Sequence, residues 1–216
     1  MMKKLEMDQL LDDHFKRLNI KENDNLIVHA NLSSFGIIKN KKLSHIIINK
    51  LIQKIGKNGS IVMPLYNFGL KKNKIYDNKK IHKKGMSVLY LEFFKNYSIY
   101  KSKSLMHRHI GRGNDAKCLL KTKPNASLGH KSDFYYLLMK NFNLLLLGCN
   151  ASEGATYLHH LEALAKVPYR KWIKIKVKLK KNNKIKNQVF NYYSRKNDKY
   201  VENFDYFFSK INKKLY

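Results

Sequence analysis

The apolar run Phe142-Asn-Leu-Leu-Leu-Leu-Gly148, followed a few residues later by Gly154-Ala-Thr-Tyr-Leu-His-His-Leu-Glu162, limits the possible folds more than any other stretch. A short leucine run closed by glycine has the length of a buried strand. The segment after it reads as a helix from about Thr156 to Lys166, with Pro168 marking its end. A strand that turns into a helix is the unit of an open α/β sheet, and such sheets hold their ligands at the carboxyl ends of the strands. On a helix, Thr156, His159 and Glu162 follow one another at intervals of three, each step turning by about 300°, so they stay within a ~120° arc. A hydroxyl, an imidazole and a carboxylate on one surface can remove a proton from a substrate. The same spacing also describes a surface helix with its polar side outward, and spacing alone does not choose between the two.

The rest of the chain repeats the alternation. Leu5, Leu10, Leu11, Phe15 and Leu18 lie at helical spacing with Asp8, Asp12 and Asp13 opposite, giving an amphipathic first helix. Residues 25–29 form a short buried strand, 43–55 a second helix ended by Gly56, and 60–66 a further strand. Residues 69–84, rich in Lys and Asn, read as a long surface loop, and 86–94 as a third helix. Trp172-Ile-Lys-Ile-Lys-Val-Lys-Leu179 alternates apolar residues with lysine, the mark of a half-solvated strand, and 185–193 returns as its hairpin partner. An amphipathic helix over 201–215 closes the chain. With no break in composition, residues 1–216 are expected to form one α/β domain with an antiparallel hairpin attached to its sheet.

The balance of 44 Lys and Arg against 15 Asp and Glu gives a net charge of +29, which raises the question of a nucleic-acid partner. The lysines are spread along the whole chain, no nucleic-acid motif is present, and no aromatic series stands among basic residues as a stacking platform. A dedicated nucleic-acid function is not expected, although a basic surface favours any polyanionic ligand, a phosphorylated cofactor included. Cys118 and Cys149 form neither a metal spacing nor a disulfide framework. The N-terminus lacks the apolar core of a signal peptide, and no run reaches the roughly 18 apolar residues of a membrane span, so a cytoplasmic protein is expected. A zinc site from His107, His109 and His130 would lack supporting carboxylates and cysteines, and no metal is expected. Cys149 lacks a nucleophile elbow and reads as a small apolar residue, and His29 as a core histidine.

Several segments in a fixed order resemble the aminoglycoside 3-N-acetyltransferase family. They are Val28-His-Ala-Asn-Leu-Ser-Ser-Phe-Gly36, Gly59-Ser-Ile-Val-Met-Pro64, Leu128-Gly-His-Lys-Ser-Asp-Phe134, Leu145-Leu-Leu-Gly148, the Thr156, His159, Glu162 series, and Val167-Pro-Tyr-Arg-Lys-Trp172. They run collinearly over roughly residues 10–212. The resemblance implies a three-layer α/β/α sandwich around a mixed sheet. It also implies transfer of an acetyl group from acetyl-coenzyme A to an amine of a sugar-like acceptor.

By the same resemblance His159 is the catalytic histidine, Thr156 the threonine three residues before it, and Glu162 a supporting carboxylate. The chemistry fits these types. An amine attacks a thioester only when unprotonated, so a neutral imidazole serves as base, and a positioned hydroxyl can stabilise the oxyanion that develops. The loop at Ser33, Ser34 and Gly36 would border coenzyme A, and His107 and Arg108 fall where the family has a histidine-rich run near the cofactor. One departure stands out. The family places a glutamate after the tryptophan to orient the histidine, and the matching position here is Lys176. A lysine cannot accept an imidazole N–H, and its charge opposes protonation of the ring. Either Glu162 takes over the orienting role and activity is weakened or altered, or the chain keeps the fold as a basic module that binds coenzyme A or another polyanion. With few carboxylates available for a polycation, an amino sugar, nucleotide-linked ones included, is the expected acceptor.

Overall fold

The computed structural model describes residues 4–35, 40–70, 72, 74–77, 80–82, 85–154, 156–181, 184–197, 199 and 203–212. Helix α1 (Lys4–Arg17) leads to β1 (Asn25–Ala30), a 3-10 turn (Leu32–Phe35), α2 (Lys41–Ile55) and β2 (Ser60–Pro64). Then come β3 (Ile75–Asp77), α3 (Val88–Asn96), β4 (Tyr100–Lys101), β5 (His109–Arg112) and a second 3-10 segment (Asp115–Lys121). The chain continues through α4 (Asp133–Met139), β6 (Asn143–Leu147), α5 (Ala151–Gly154), α6 (Thr156–Ala165), β7 (Arg170–Lys181), β8 (Lys184–Arg195) and α7 (Phe204–Asn212).

A five-stranded mixed sheet in the order β4-β5-β2-β1-β6 forms the middle layer. β1 runs parallel to β2 and β6, whereas β5 is antiparallel to both β2 and β4. Both faces are covered, which is why β2 is buried along its whole length and reads as a continuous apolar run. Leu26, Val28, Ile61 and Met63 face one side and pack on Phe15 of α1, Leu43, Ile47, Ile48 and Leu51 of α2, and Leu89 and Phe93 of α3. Ile27 and Val62, the intervening residues, face the other side and meet Ala116, Leu119 and Leu137. The expected α/β/α layering is therefore present. α2 has clear punctuation: the Asn40 side chain accepts a hydrogen bond from the Leu43 N–H at 3.0 Å, and Gly56 ends the helix at φ +68°.

The hairpin is present over 170–195, but it does not join this sheet. β7 pairs with β8 on one side and, in parallel, with β3 on the other, giving a separate three-stranded sheet. A bridge between Ala126 and Asn191 connects it to the loop after the second 3-10 segment. Its buried side, Val177 and Phe190, packs on Leu105 and Met106. The lysines at 174, 176 and 178 stay in water. β3 lies within the stretch expected to be loop; three residues among Lys and Asn carry too little pattern to register as a strand. β5 is likewise short and contains Gly111, where a Cβ would lie 2.7 Å from the Ala116 Cβ; only glycine lets the 3-10 segment sit this close to the sheet. No helix among the described residues is long and apolar enough to cross a membrane.

Candidate active site

A cleft of about 950 Å³ opens at the carboxyl ends of β1 and β2. His29, Ala30, Asn31 and Ser33 line one wall, Tyr66 and Phe68 another, and Ser87 and Val88 at the start of α3 a third. Cys149, Glu153, Gly154 and Thr156 close it where β6 passes into α5 and α6. Gly154 permits that closure, since a Cβ there would lie 2.7 Å from Leu146 Cδ2 and 2.9 Å from Cys149 Sγ. The expected strand-to-helix passage therefore does place Thr156 at the mouth of a ligand-sized space.

One turn further along α6 stands His159, partly exposed, with its Nδ1 2.6 Å from Glu162 Oε2. Glu162 is nearly buried and well supplied with donors. The Tyr169 hydroxyl donates to Oε1 at 2.8 Å, and Arg170 forms an ion pair with Oε2 through Nε at 2.9 Å. Burial raises the Glu162 pKa, but the hydrogen bonds from His159 and Tyr169 and the charge of Arg170 outweigh it and hold the carboxyl below its usual value. When Nδ1–H donates to Glu162, the neutral ring has Nε2 free to accept a proton. The His159 ring also lies 5.3 Å from Phe204 of α7. Beside it a second opening, a groove of about 630 Å³, is lined by Leu158, Leu161, Glu162, Tyr169, Lys199 and Phe204. Thus α6 meets the cleft through Thr156 and the groove through Glu162.

The neighbouring His160 behaves differently. It is fully buried, accepts the Gly129 N–H on Nδ1 at 3.1 Å, and is pushed by burial to a pKa of about 4. Adjacent helical residues point about 100° apart, so one histidine of the pair is core and the other is partly exposed beside Glu162.

Of the residues expected at a cofactor site, Ser33 lines the cleft and its hydroxyl bonds the Asn31 side chain. Ser34 is exposed on the same turn, and Gly36 lies outside the described residues. His107 and Arg108 are buried behind the cleft rather than in its wall. His107 packs on Tyr66 and Phe68, contacts the Ser127 carbonyl at 3.3 Å, and is lowered by burial to a pKa of about 3. Arg108 donates to the carbonyls of Ser104 and Lys80. Lys176 is exposed on β7 opposite Val189. It stands six residues beyond Arg170, roughly 20 Å along an extended strand at ~3.3 Å per residue. The cation that does touch the His159–Glu162 pair is Arg170, with Nη2 3.1 Å from His159 Nδ1. Sequence reasoning assigned no role to Arg170 or Tyr169, although both fall within the Val167–Trp172 segment. Among the described residues no cluster of histidine, cysteine or carboxylate side chains is arranged to hold a metal ion.

From Tyr66 and His29 in the cleft wall a group runs inward that spacing could not disclose. The Tyr66 hydroxyl is 3.1 Å from His109 Nε2 and 3.4 Å from His29 Nε2. His109 Nδ1 is 2.8 Å from Asp133 Oδ2, which also accepts the His109 N–H and the Ser102 hydroxyl. All of these side chains are buried.

The model of the aminoglycoside 3-N-acetyltransferase family matches residues 27–215, and the chain belongs to that family. Acetyl-coenzyme A is the family's co-substrate. Among solved structures, the YokD protein from Bacillus subtilis is 20% identical and superposes with a TM-score of 0.69, covering 87% of this chain and 81% of its own. Aminoglycoside acetyltransferase AAC(3)-Xa is 15% identical with a TM-score of 0.72, covering 92% and 74%. AAC-IIIb in its binary complex with CoASH is 17% identical with a TM-score of 0.70, covering 87% and 75%. No curated protein sequence matches the chain.

Proposed function

We propose that this chain transfers the acetyl group of acetyl-coenzyme A directly to the amine of a small sugar-like acceptor, with His159 as general base. The observation that carries this is the His159 Nδ1 to Glu162 Oε2 hydrogen bond, one helical turn from Thr156 in the cleft wall. Glu162 fixes the ring so that Nε2 is the basic atom, and Thr156 presents its hydroxyl to the cleft, where negative charge develops on the thioester oxygen. Such a base is worth ~10²–10⁴ in rate. The cleft suits the donor. Leu32, Phe68, Met86 and Leu91 offer apolar surface to a pantetheine arm. Lys41 stands at the start of α2, whose first turn has no acidic residue, and this favours phosphate there. Ser33 and Ser34 would border it, with His107 and Arg108 supporting the wall from behind.

Arg170 rather than Lys176 is the cation that acts on the base. Arg170 favours the carboxylate form of Glu162, the group that orients His159. The acceptor we propose is a neutral or anionic amino sugar, nucleotide-linked ones included. Glu162, the carboxylate lining the groove, is already engaged by His159, Tyr169 and Arg170 and has little left to offer a polycation. The similar AAC-VIa was solved bound to sisomicin; faster turnover of sisomicin than of a glucosamine phosphate by the present chain would contradict the choice of acceptor.

Calorimetric titration with coenzyme A, beside adenosine bisphosphate as a control for phosphate attraction, tests the donor site. Tight binding that resists added salt and exceeds the control is expected. Binding that fades with salt as the control does would instead favour a basic module without transfer activity.

A further inference from the structure

The hairpin of β7 and β8 carries a charge that the transfer reaction does not use. Residues 170–195 hold eight lysines and two arginines and neither aspartate nor glutamate. Alternate residues of a strand share a side, so Trp172, Lys174, Lys176, Lys178 and Lys180 lie on one face of β7. The opposite face is covered, since Val177 and Phe190 pack on Leu105 and Met106. The four lysines follow one another at ~6.6 Å and form a row of roughly 20 Å. Neighbours fall within the ~8 Å screening length of physiological salt and act as one patch. Among the described residues of the three strands, the carboxylate on this face is Asp77, in register with Lys180.

The same face is apolar as well as basic. Ile75 lies beside Lys178, Ile185 beside Lys180 and Val189 beside Lys176, and residues paired in register share a side. These three and Trp172 are between 41% and 52% exposed. Trp172 rests against Tyr193, with ring centroids 4.8 Å apart, and leaves the remainder of its indole outside. Four large apolar side chains thus alternate with four lysines on one exposed sheet face.

We propose that this face docks the protein on a bilayer that contains anionic lipid. The lysines lie at the headgroups, and Trp172, Ile75, Ile185 and Val189 enter the interfacial layer. A nucleic acid would meet the lysines with its phosphates but would leave the aliphatic side chains unused, because bases stack on aromatic rings. A second copy of the chain would bring two rows of like charge together. An anionic bilayer answers both halves of the surface, with negative headgroups outside and an interface favourable to tryptophan beneath. A weak apolar anchor binds only marginally by itself, and a basic patch beside it makes the attachment stable. The face contributes no residue to the cleft or to the groove beside His159, so docking stands apart from the acetyl-transfer reading.

The test is flotation of the full chain with vesicles of phosphatidylcholine alone and of phosphatidylcholine mixed with phosphatidylglycerol, at physiological salt. The emission of Trp172, the sole tryptophan, reports entry into the interface. Binding to the mixed vesicles with a blue shift is expected, and neither with phosphatidylcholine alone. Lys174→Gln, Lys176→Gln and Lys178→Gln combined should weaken binding ~10²-fold. The same change at Lys16, Lys21 and Lys57, exposed lysines away from the hairpin, should weaken it only a few-fold. Ile185→Ser with Val189→Ser should reduce both binding and the blue shift. Equal losses in the two triple variants would overturn the proposal, since overall charge would then account for binding. Bound protein with unshifted emission would overturn it as well. Binding to single-stranded RNA but not to the mixed vesicles would overturn it in favour of a nucleic-acid partner.

Discussion

His159–Glu162 and His109–Asp133 are both histidine–carboxylate pairs in which Nδ1 faces a carboxylate oxygen, at 2.6 Å and 2.8 Å. Their settings are opposite. The first lies on one helix, is partly exposed, and is surrounded by Tyr169, Arg170 and Phe204. The second joins β5 to α4 in the interior, with both side chains fully shielded from water. An exposed pair can meet a substrate directly, whereas a sealed one cannot. The sealed pair also holds the fold together, because a buried carboxylate with three donors leaves each of them unsatisfied when it is removed.

That contrast can be broken experimentally. Asp133→Ala should lower stability by about 3 kcal/mol, since Ser102 and both donors of His109 lose their acceptor; a denaturation midpoint close to the unaltered protein's would mean the network contributes little. Glu162→Gln should leave stability nearer to normal and slow transfer by roughly 10- to 10²-fold, less than loss of the base itself. Steady-state kinetics would contradict this if KM alone changed. The buried histidines give a smaller, pH-dependent effect. In the folded chain His29, His107 and His160 have pKa values of about 3, 3 and 4, whereas the unfolded chain protonates them near 6.5. Below about pH 6.5 the unfolded state binds the extra protons, so stability falls as pH falls, by about 1.4 kcal/mol per pH unit for each histidine. His160→Gln, whose amide oxygen can accept the Gly129 N–H, should flatten that slope between about pH 7 and 5.5; parallel stability curves would be the contrary result. Smallest of all, Lys176→Ala should change neither stability nor transfer rate measurably, and a clear change in rate would put Lys176 back beside His159.

The two pairs also differ in how far the sequence disclosed them. That Thr156, His159 and Glu162 share one helix was legible, because the leucine run before them marked the strand that leads into it. Ser33 was legible as part of a small, hydroxyl-rich turn after a strand. The Tyr66–His109–Asp133 group was not, because it depends on long-range register: Pro64 pairs with His109 across β2 and β5, and the Ser132 cap starts α4 so that Asp133 faces inward. His107 and His109 drew attention as a cluster, yet nothing local indicates that both are buried. Lys176 shows the limit of counting along a chain. Lys176 is exposed further along β7, and Arg170 at the start of that strand is the residue that reaches the pair. The hairpin was legible in its alternation, while its partner β3 was hidden in a polar stretch of three paired residues.

The central claim is that His159 is the base of an acetyl-transfer site whose donor cleft ends at Thr156. The most direct measurement is the single-turnover rate of acetyl transfer from pre-bound acetyl-coenzyme A in His159→Ala and in the unaltered protein, with coenzyme A affinity measured on the same samples. A fall of ~10²-fold or more with affinity unchanged is the predicted result. An unchanged rate, or loss of coenzyme A binding in proportion to loss of rate, would contradict it.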